Sequence, residues 1–375
     1  MSIAFIDLAA QQAKIKDKID ARVQAVLAHG KYILGPEVKE LEEQLSTFSN
    51  VKHALTCGNG TDALLLALMA LNVRSGDAVF CPSFTFAATA EVVPCMGAVP
   101  VFVDCDETTF NMDIASLKQA ILDTKKMGLN PVGIIPVDLF GLSADYQSIQ
   151  EIAKDNGLWI IGDGAQGYGA ELHGQNSNNF CDITTTSFFP AKPLGCYGDG
   201  GAVFTNNDEL ADLITSYRFH GKGDHKYNNE RIGMNSRLDT IQAAILLEKL
   251  ALYADEIEKR NVVAARYAEG LADTSLIAPT VPDGYKSVWA QYTVKAKDEA
   301  HRTKVTEGLK ARSIPTAVYY PLPLHQQIAY KNFPTSSQGL PVSESLSKRV
   351  FSLPMHPYLS EDDQDKIIAA IQSIK

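Results

Sequence analysis

Lys192 is the residue best placed to do covalent chemistry. It lies between two prolines in Ser187-Phe188-Phe189-Pro190-Ala191-Lys192-Pro193-Leu194-Gly195. Each proline fixes its own φ and restricts the residue before it, so the lysine is carried on a stiff turn. A desolvated lysine has a lowered pKa and offers a neutral amine, which imine formation with an aldehyde requires. A second group is Asp163, which leads Gly164-Ala165-Gln166 out of the apolar run Leu158-Trp159-Ile160-Ile161-Gly162. A third is Cys57-Gly58-Asn59-Gly60-Thr61-Asp62, a glycine turn that opens an apolar helix. Free N–H groups and the positive end of a helix dipole suit a phosphate there, with Thr61 or Asp62 also able to cap the helix. The turn is neither a Walker loop nor a GxGxxG turn, which points to a monophosphate cofactor rather than a nucleotide. Finally, Ser83-Phe84-Thr85-Phe86 offers an aromatic, Phe84 or Phe86, to lie over a flat ring.

Alone, each feature has a plain structural reading: a turn lysine, a capped helix, a core phenylalanine. In this order they describe a pyridoxal phosphate site. The lysine forms the imine, the acid keeps the pyridine nitrogen protonated, the aromatic stacks on the ring and the turn at Gly60 and Thr61 cradles the phosphate. Ser187 adds a hydroxyl to the phosphate, and Gln166 holds the ring or its phenolic oxygen.

The elements that must position these groups follow from periodicity. Residues 158–162 read as a strand covered on both faces, and ligands of α/β sheets bind at the C-terminal ends of such strands. Further strands are expected at 53–56, 78–82, 99–103, 134–137, 183–186 and 202–205. Helices are expected at 9–29, 37–48, from 87, at 145–156 and at 240–267. The alternation over 50–205 argues for an α/β fold, a mixed, mostly parallel sheet between helical layers. The spacing changes after Leu250. A large domain over 1–249 and a smaller C-terminal α+β domain over 250–375 are therefore expected. The second has strands at 292–294 and 316–320 and helices at 298–312 and 361–374. Between them, residues 220–237 form a polar loop with Lys222, His225, Lys226, Arg231 and Arg237, the best anion site in the chain.

Composition excludes other classes. The 375 residues carry 34 Lys and Arg against 44 Asp and Glu, a formal charge of −10. With no long basic run, nucleic acid and acidic membranes are not expected partners. No uncharged apolar stretch is long enough to span a bilayer. Met1 to Leu8 is too short and too acidic for a secretion signal, and the six cysteines form no CxxC pair, so reduced thiols in a cytoplasmic protein are expected. His220 and His225 lack accompanying carboxylates, so no metal is expected.

The motifs resemble the DegT/StrS group of nucleotide-sugar aminotransferases, within the fold-type-I pyridoxal phosphate superfamily. The likeness runs through Tyr32-Ile33-Leu34-Gly35-Pro36-Glu37, Gly58-Asn59-Gly60-Thr61-Asp62-Ala63-Leu64, Asp163-Gly164-Ala165-Gln166 and the lysine segment. It continues in Gly198-Asp199-Gly200-Gly201-Ala202, Asn235-Ser236-Arg237-Leu238-Asp239 and Tyr320-Pro321-Leu322-Pro323-Leu324-His325. The resemblance implies a three-layer α/β/α large domain and a homodimer with its site at the subunit interface. It implies Lys192 and Asp163 as catalytic, and Gly60, Thr61, Phe84, Gln166 and Ser187 around the cofactor, with Asn235 reaching the phosphate from the partner subunit. Gly30, Tyr32, Arg237, Tyr319, Tyr320 and His325 would meet the sugar nucleotide. The reaction implied moves the amino group of L-glutamate, leaving 2-oxoglutarate, to a UDP-linked 2-acetamido-2-deoxy-3-oxo-glucuronate, for surface polysaccharide (O-antigen, lipopolysaccharide). A 4-keto or 3-keto deoxysugar on dTDP or UDP is the alternative. Ala191 stands where relatives often carry serine, Tyr319 where histidine is common, and Gly162 where an acid is frequent. Sugar dehydratases of the same family replace the lysine by histidine, so Lys192 argues against that reaction. A regulatory module that only senses the cofactor lacks support, since no helix-turn-helix or basic face is present.

Overall fold

Two helices, α1 (Leu8–His29) and α2 (Pro36–Ser49), lead into the sheet. In the computed structural model, β1 (His53–Cys57) then feeds α3 (Gly60–Ala70), β2 (Asp77–Pro82) feeds α4 (Ala88–Cys95), and β3 (Val99–Val103) feeds α5 (Ile114–Lys126). β4 (Asn130–Ile134) precedes α6 (Tyr146–Asn156) and β5 (Trp159–Asp163). The short strands β6 (Glu171–Leu172) and β7 (Gln175–Asn176) lead to β8 (Ile183–Ser187), β9 (Gly201–Thr205), α7 (Asp208–Tyr217) and the long α8 (Thr240–Leu271). The remainder is β10 (Tyr285–Lys286), β11 (Tyr292–Lys295), α9 (Glu299–Lys310), α10 (Pro341–Arg349), β12 (Val350–Leu353) and α11 (Glu361–Ser373). The structure describes residues 3–225 and 227–374; Met1, Ser2, Lys375 and the loop cation Lys226 lie outside the described residues.

The seven-stranded sheet has the order β1-β9-β8-β5-β4-β2-β3. β8, β5, β4, β2 and β3 are parallel neighbours, and β9 runs antiparallel between β1 and β8. Side chains alternate across it as the pleat requires. Val79, Cys81 and Val203 pack under α3, α4 and α7. Ala78 and Phe80 pack under α5 and α6, and Ala202 and Phe204 under α2 and α8. The result is a three-layer α/β/α arrangement. α3 is apolar nearly all round because it is enclosed: Ala63, Leu64, Leu66, Ala67 and Leu68 are all buried.

Two expected strands are corrected. The fourth strand is Asn130–Ile134 rather than 134–137, because Asn130-Pro131 and Gly133 mask its apolar pattern. Val137 instead makes an isolated bridge to Asp163. Residues 316–320 form no strand. Only Ala317 bridges Ser352, and β11 takes β12 as its partner. α8 crosses residues 249 and 250 without a break. Its first half packs on the sheet, and Val263, Ala264, Tyr267 and Leu271 pack with β11, β12, α9 and α11. Among the described residues no helix is long and apolar enough to cross a membrane, and all six cysteines are free.

Candidate active site

Parallel strands present their C-terminal ends at one edge, and four of the expected groups leave from it. β1 ends before Gly58 to Thr61, β2 before Phe84, β5 at Asp163 and β8 at Ser187, with Lys192 on the loop that returns into β9. Lys192 N–H donates to Phe189 O at 2.8 Å and Cys196 N–H to Phe188 O at 2.8 Å, which closes that loop on itself. β5 and β8 are paired, with Asp163 opposite Thr185, and the loop after β8 brings Lys192 near enough for its charge and that of Asp163 to act on one another.

The electrostatics of the pair follow from burial. Desolvation pushes the Lys192 ammonium below the ordinary lysine value, and the Asp163 charge opposes this. Asp163 is 4% exposed. Desolvation pushes its carboxyl above the ordinary range, while the Thr89 hydroxyl, the Ala165 N–H and the Lys192 charge hold it down. Thr89 Oγ1 donates to Asp163 Oδ2 at 2.7 Å, and Ala165 N–H donates to Oδ1 at 3.2 Å. Thr89 has one hydroxyl proton, so its 3.2 Å contact with Thr85 Oγ1 makes Thr85 the donor there. Thr89 carries no signal in the sequence, since only the fold brings the first turn of α4 beside the end of β5.

The turn after β1 is a built cradle. The N-cap is Asn59, not Thr61 or Asp62: its side chain accepts from Asp62 N–H at 2.8 Å. The N–H groups of Gly60 and Thr61 precede the helical ladder and remain available. A Cβ on Gly60 would lie 2.7 Å from Ser187 Cβ, and one on Gly201 would lie 2.4 Å from Asn59 O, so the helix start is pressed onto β8 and β9. Ser236 pins the turn from outside, accepting from Gly58 N–H at 2.9 Å and donating to Asp62 Oδ2 at 2.6 Å. Below it, Arg218 donates to Thr56 O at 2.7 Å and to Glu42 at 2.5 Å. Glu42 also accepts from the N–H and hydroxyl of Thr56. Ser236 sits between two expected site residues, yet nothing in sequence tied it to Gly58.

The aromatic expectation needs correction. Phe84 is 0% exposed, edge-on to Phe140 at 6.3 Å and to Tyr320 at 6.0 Å. Such a ring has no free face for a ligand. Phe86, two residues on, is 56% exposed and is the aromatic with an open face. Gln166 accepts from Phe140 N–H at 2.9 Å and donates to Tyr320 Oη at 3.0 Å, which brings the tyrosine to the same edge. Tyr319 lies next to it, its ring 6.0 Å from that of Tyr320. His325 has no free nitrogen: Nδ1 meets Ser83 Oγ at 2.7 Å and Nε2 meets Glu344 at 3.2 Å. It anchors the 320–325 segment rather than facing an open site.

The remaining expected residues form a separate group. Gly30 is the left-handed cap of α1, and Tyr32 is exposed, its carbonyl accepting from Thr240 N–H at 2.9 Å. Asn235 is exposed. The Arg237 guanidinium and the Lys222 ammonium lie 4.9 Å and 5.5 Å from the Phe219 ring. Ser236 links this group to the cradle, but among the described residues no hydrogen bond or ion pair joins it to Lys192. At Gly162 a Cβ would meet Tyr146 Oη at 2.8 Å and Cys181 Sγ at 2.9 Å, so no larger side chain fits there.

The donor set matches pyridoxal phosphate. Asp163 accepts from a hydroxyl and a backbone N–H, and among the described residues no cationic side chain bonds to it, which leaves it suited to a protonated ring nitrogen. The open N–H groups at Gly60 and Thr61 suit a phosphate, and Lys192 supplies an amine for an aldehyde.

The DegT/DnrJ/EryC1/StrS aminotransferase family model matches residues 13–372. The UDP-2-acetamido-2-deoxy-3-oxo-D-glucuronate aminotransferase of Pseudomonas aeruginosa is 49% identical over 369 residues, covering 98% of this chain and 99% of that one. A crystal structure of a DegT DnrJ EryC1 StrS aminotransferase from Brucella abortus superposes with a TM-score of 0.96 at 53% identity, covering 99% of this chain and 98% of that one. The ntda protein of Bacillus subtilis, solved with bound PMP, superposes with a TM-score of 0.88 at 30% identity over 96% of this chain and 82% of that one. The chain belongs to the DegT/DnrJ/EryC1/StrS aminotransferase family and is a pyridoxal-phosphate-dependent enzyme.

Proposed function

We propose that this enzyme transfers the amino group of L-glutamate to the 3-keto group of UDP-2-acetamido-2-deoxy-3-oxo-glucuronate. The chemistry rests on one observation: a desolvated amine, Lys192, is charge-coupled to a buried carboxylate, Asp163, on the loop and strand end beside an open helix N-terminus. The sugar rests on likeness to the Pseudomonas enzyme along nearly the whole chain.

Bound pyridoxal phosphate supplies the carbonyl that carries the amino group and a ring that takes up the electron pair released at the donor's α-carbon. Lys192 Nζ would hold the cofactor and, once free, would carry the proton from the donor's α-carbon to the carbon that had been the cofactor's carbonyl. Asp163 would meet the ring nitrogen and keep it protonated, its basicity set by burial against Thr89 and Ala165. Gly60, Thr61 and Ser187 hold the phosphate, Gln166 and Tyr320 border the ring, and Phe86 rather than Phe84 lies over it. In the assembly we propose a homodimer with the site at its interface. The exposed apolar residues Tyr32, Ile33, Leu34, Phe189 and Ile232 support this, and Asn235 would reach the phosphate from the partner subunit. Arg237 and Lys222 suit the anionic parts of the sugar nucleotide.

The test is a substrate panel with glutamate: the UDP-linked 3-oxo uronic acid, the same sugar without its carboxylate, and a dTDP-linked 4-keto sugar. Release of 2-oxoglutarate and the mass of the aminated sugar are followed together. Turnover is expected to be fastest with the uronic acid. Preference for the 4-keto sugar by tenfold or more in kcat/KM would overturn the substrate assignment.

A further inference from the structure

Helix α8 turns one side toward the loop that carries Lys192. Gln242 and Lys249, seven residues and so about two turns apart, share that side. Gln242 Oε1 accepts from Tyr197 N–H at 2.9 Å. Lys249 Nζ donates to Gly195 O at 2.6 Å and lies 4.3 Å from the centre of the Tyr197 ring. Lys249 is 1% exposed, and among the described residues no carboxylate lies within ion-pair distance of it, the Glu256 charge acting only from further off. Burying an ammonium against a carbonyl and a ring, without a counter-ion, costs stability that an apolar residue at the same place would not. The carbonyl it grips is three residues from Lys192 along a turn with no slack: a Cβ on Gly195 would lie 2.6 Å from both Phe189 O and Pro190 O.

We propose that Lys249 is a positioning residue for Lys192, acting through the Gly195 carbonyl, with Gln242 as the second point of the same clamp. The loop's own hydrogen bonds fix its shape, and the clamp fixes where that shape sits over the strand ends. Because α8 continues into the C-terminal core, the clamp also ties the lysine loop to that part of the molecule. Burial lowers the Lys249 pKa to about 8, against the opposing charges of Cys196 and Glu256. A lysine amine donates to the carbonyl in either state, more strongly when charged.

This inference rests on Lys192 being the cofactor-bearing amine. The experiment compares holoenzyme variants by the pH midpoint of the bound cofactor's visible absorption band, with glutamate kcat and KM measured alongside. Lys249→Met is expected to move the midpoint by about half to one pH unit and lower kcat about tenfold, with KM within about twofold, because a displacement of order 1 Å at a reacting group has such effects. Lys249→Arg, which keeps a donor, is expected to recover most of both. Gln242→Leu is expected to shift them in the same direction by less, and serves if Lys249→Met does not fold. Val263→Ala, which weakens the same helix away from the loop, is the control and should leave the midpoint unchanged. The proposal is overturned if the Lys249 and Gln242 variants keep the wild-type midpoint and kcat, or if Val263→Ala moves them equally. Lys192→Ala separates the two levels: if it keeps the band, the lysine assignment itself fails. If it loses the band while the clamp variants behave as wild type, only the clamp fails.

Discussion

Thr89→Val tests how Asp163 is tuned. The two side chains have nearly the same shape, so the change removes one hydroxyl and its 2.7 Å bond to Asp163 Oδ2. A hydrogen bond to a buried charged group contributes about 1.5–3 kcal/mol. Its loss raises the proton affinity of a carboxyl that burial already pushes up. The acid then competes for the ring proton instead of leaving it on nitrogen, and the ring withdraws electrons less well. The glutamate half-reaction, followed in a single turnover by stopped-flow absorbance, should slow by about 10- to 100-fold. Thr89→Ser, which keeps the hydroxyl, should stay within a few-fold of wild type. If Thr89→Val reacts within twofold of wild type across pH 6–9, the view that this hydroxyl sets the acid's basicity is refuted.

Three further outcomes are expected. Ser236→Ala leaves the Gly58 N–H unpaired at the cradle, a loss of about 1–2 kcal/mol, so cofactor should bind roughly 5- to 30-fold more weakly in a titration of cofactor-free enzyme. Phe86→Ala should weaken cofactor binding in the same titration with little change in thermal midpoint, whereas Phe84→Ala should lose about 3–5 kcal/mol of fold stability as a buried cavity. Asp138 is enclosed, and burial pushes its carboxyl up to about 7 against the opposing Ala144 N–H. The folded state therefore keeps a proton that the unfolded chain releases near pH ~4. Its contribution is complete below that pH and is lost as pH rises toward 7, by at most about 4 kcal/mol. Denaturant midpoints at pH 5 and 8 should show this slope, and Asp138→Asn should flatten it.

What the sequence disclosed was whatever depended on neighbours along the chain. The apolar run ending at Asp163, the proline-boxed Lys192 and the glycine turn at Gly60 each carry their own local signal. Strand ends of a parallel sheet then bring them together automatically. What it hid depended on contacts between distant segments. Thr89 meets Asp163 only because the fold sets the first turn of α4 beside the end of β5, and Ser236 reaches Gly58 across 178 positions. Phe84 and Phe86 lie two apart in the irregular segment after β2, where composition does not say which ring is covered; burial decides it. The segment 316–320 has the β-branched and aromatic character of a strand, but it meets the outer edge of β12 at Ala317 alone.

The central claim is that Lys192 is the amine that holds the cofactor. Borohydride reduction of the holoenzyme, followed by proteolysis and mass spectrometry, measures this directly. The account predicts a phosphopyridoxyl mass on the peptide containing Lys192. That mass on Lys249, Lys222 or any other lysine, with Lys192 unmodified, would contradict it.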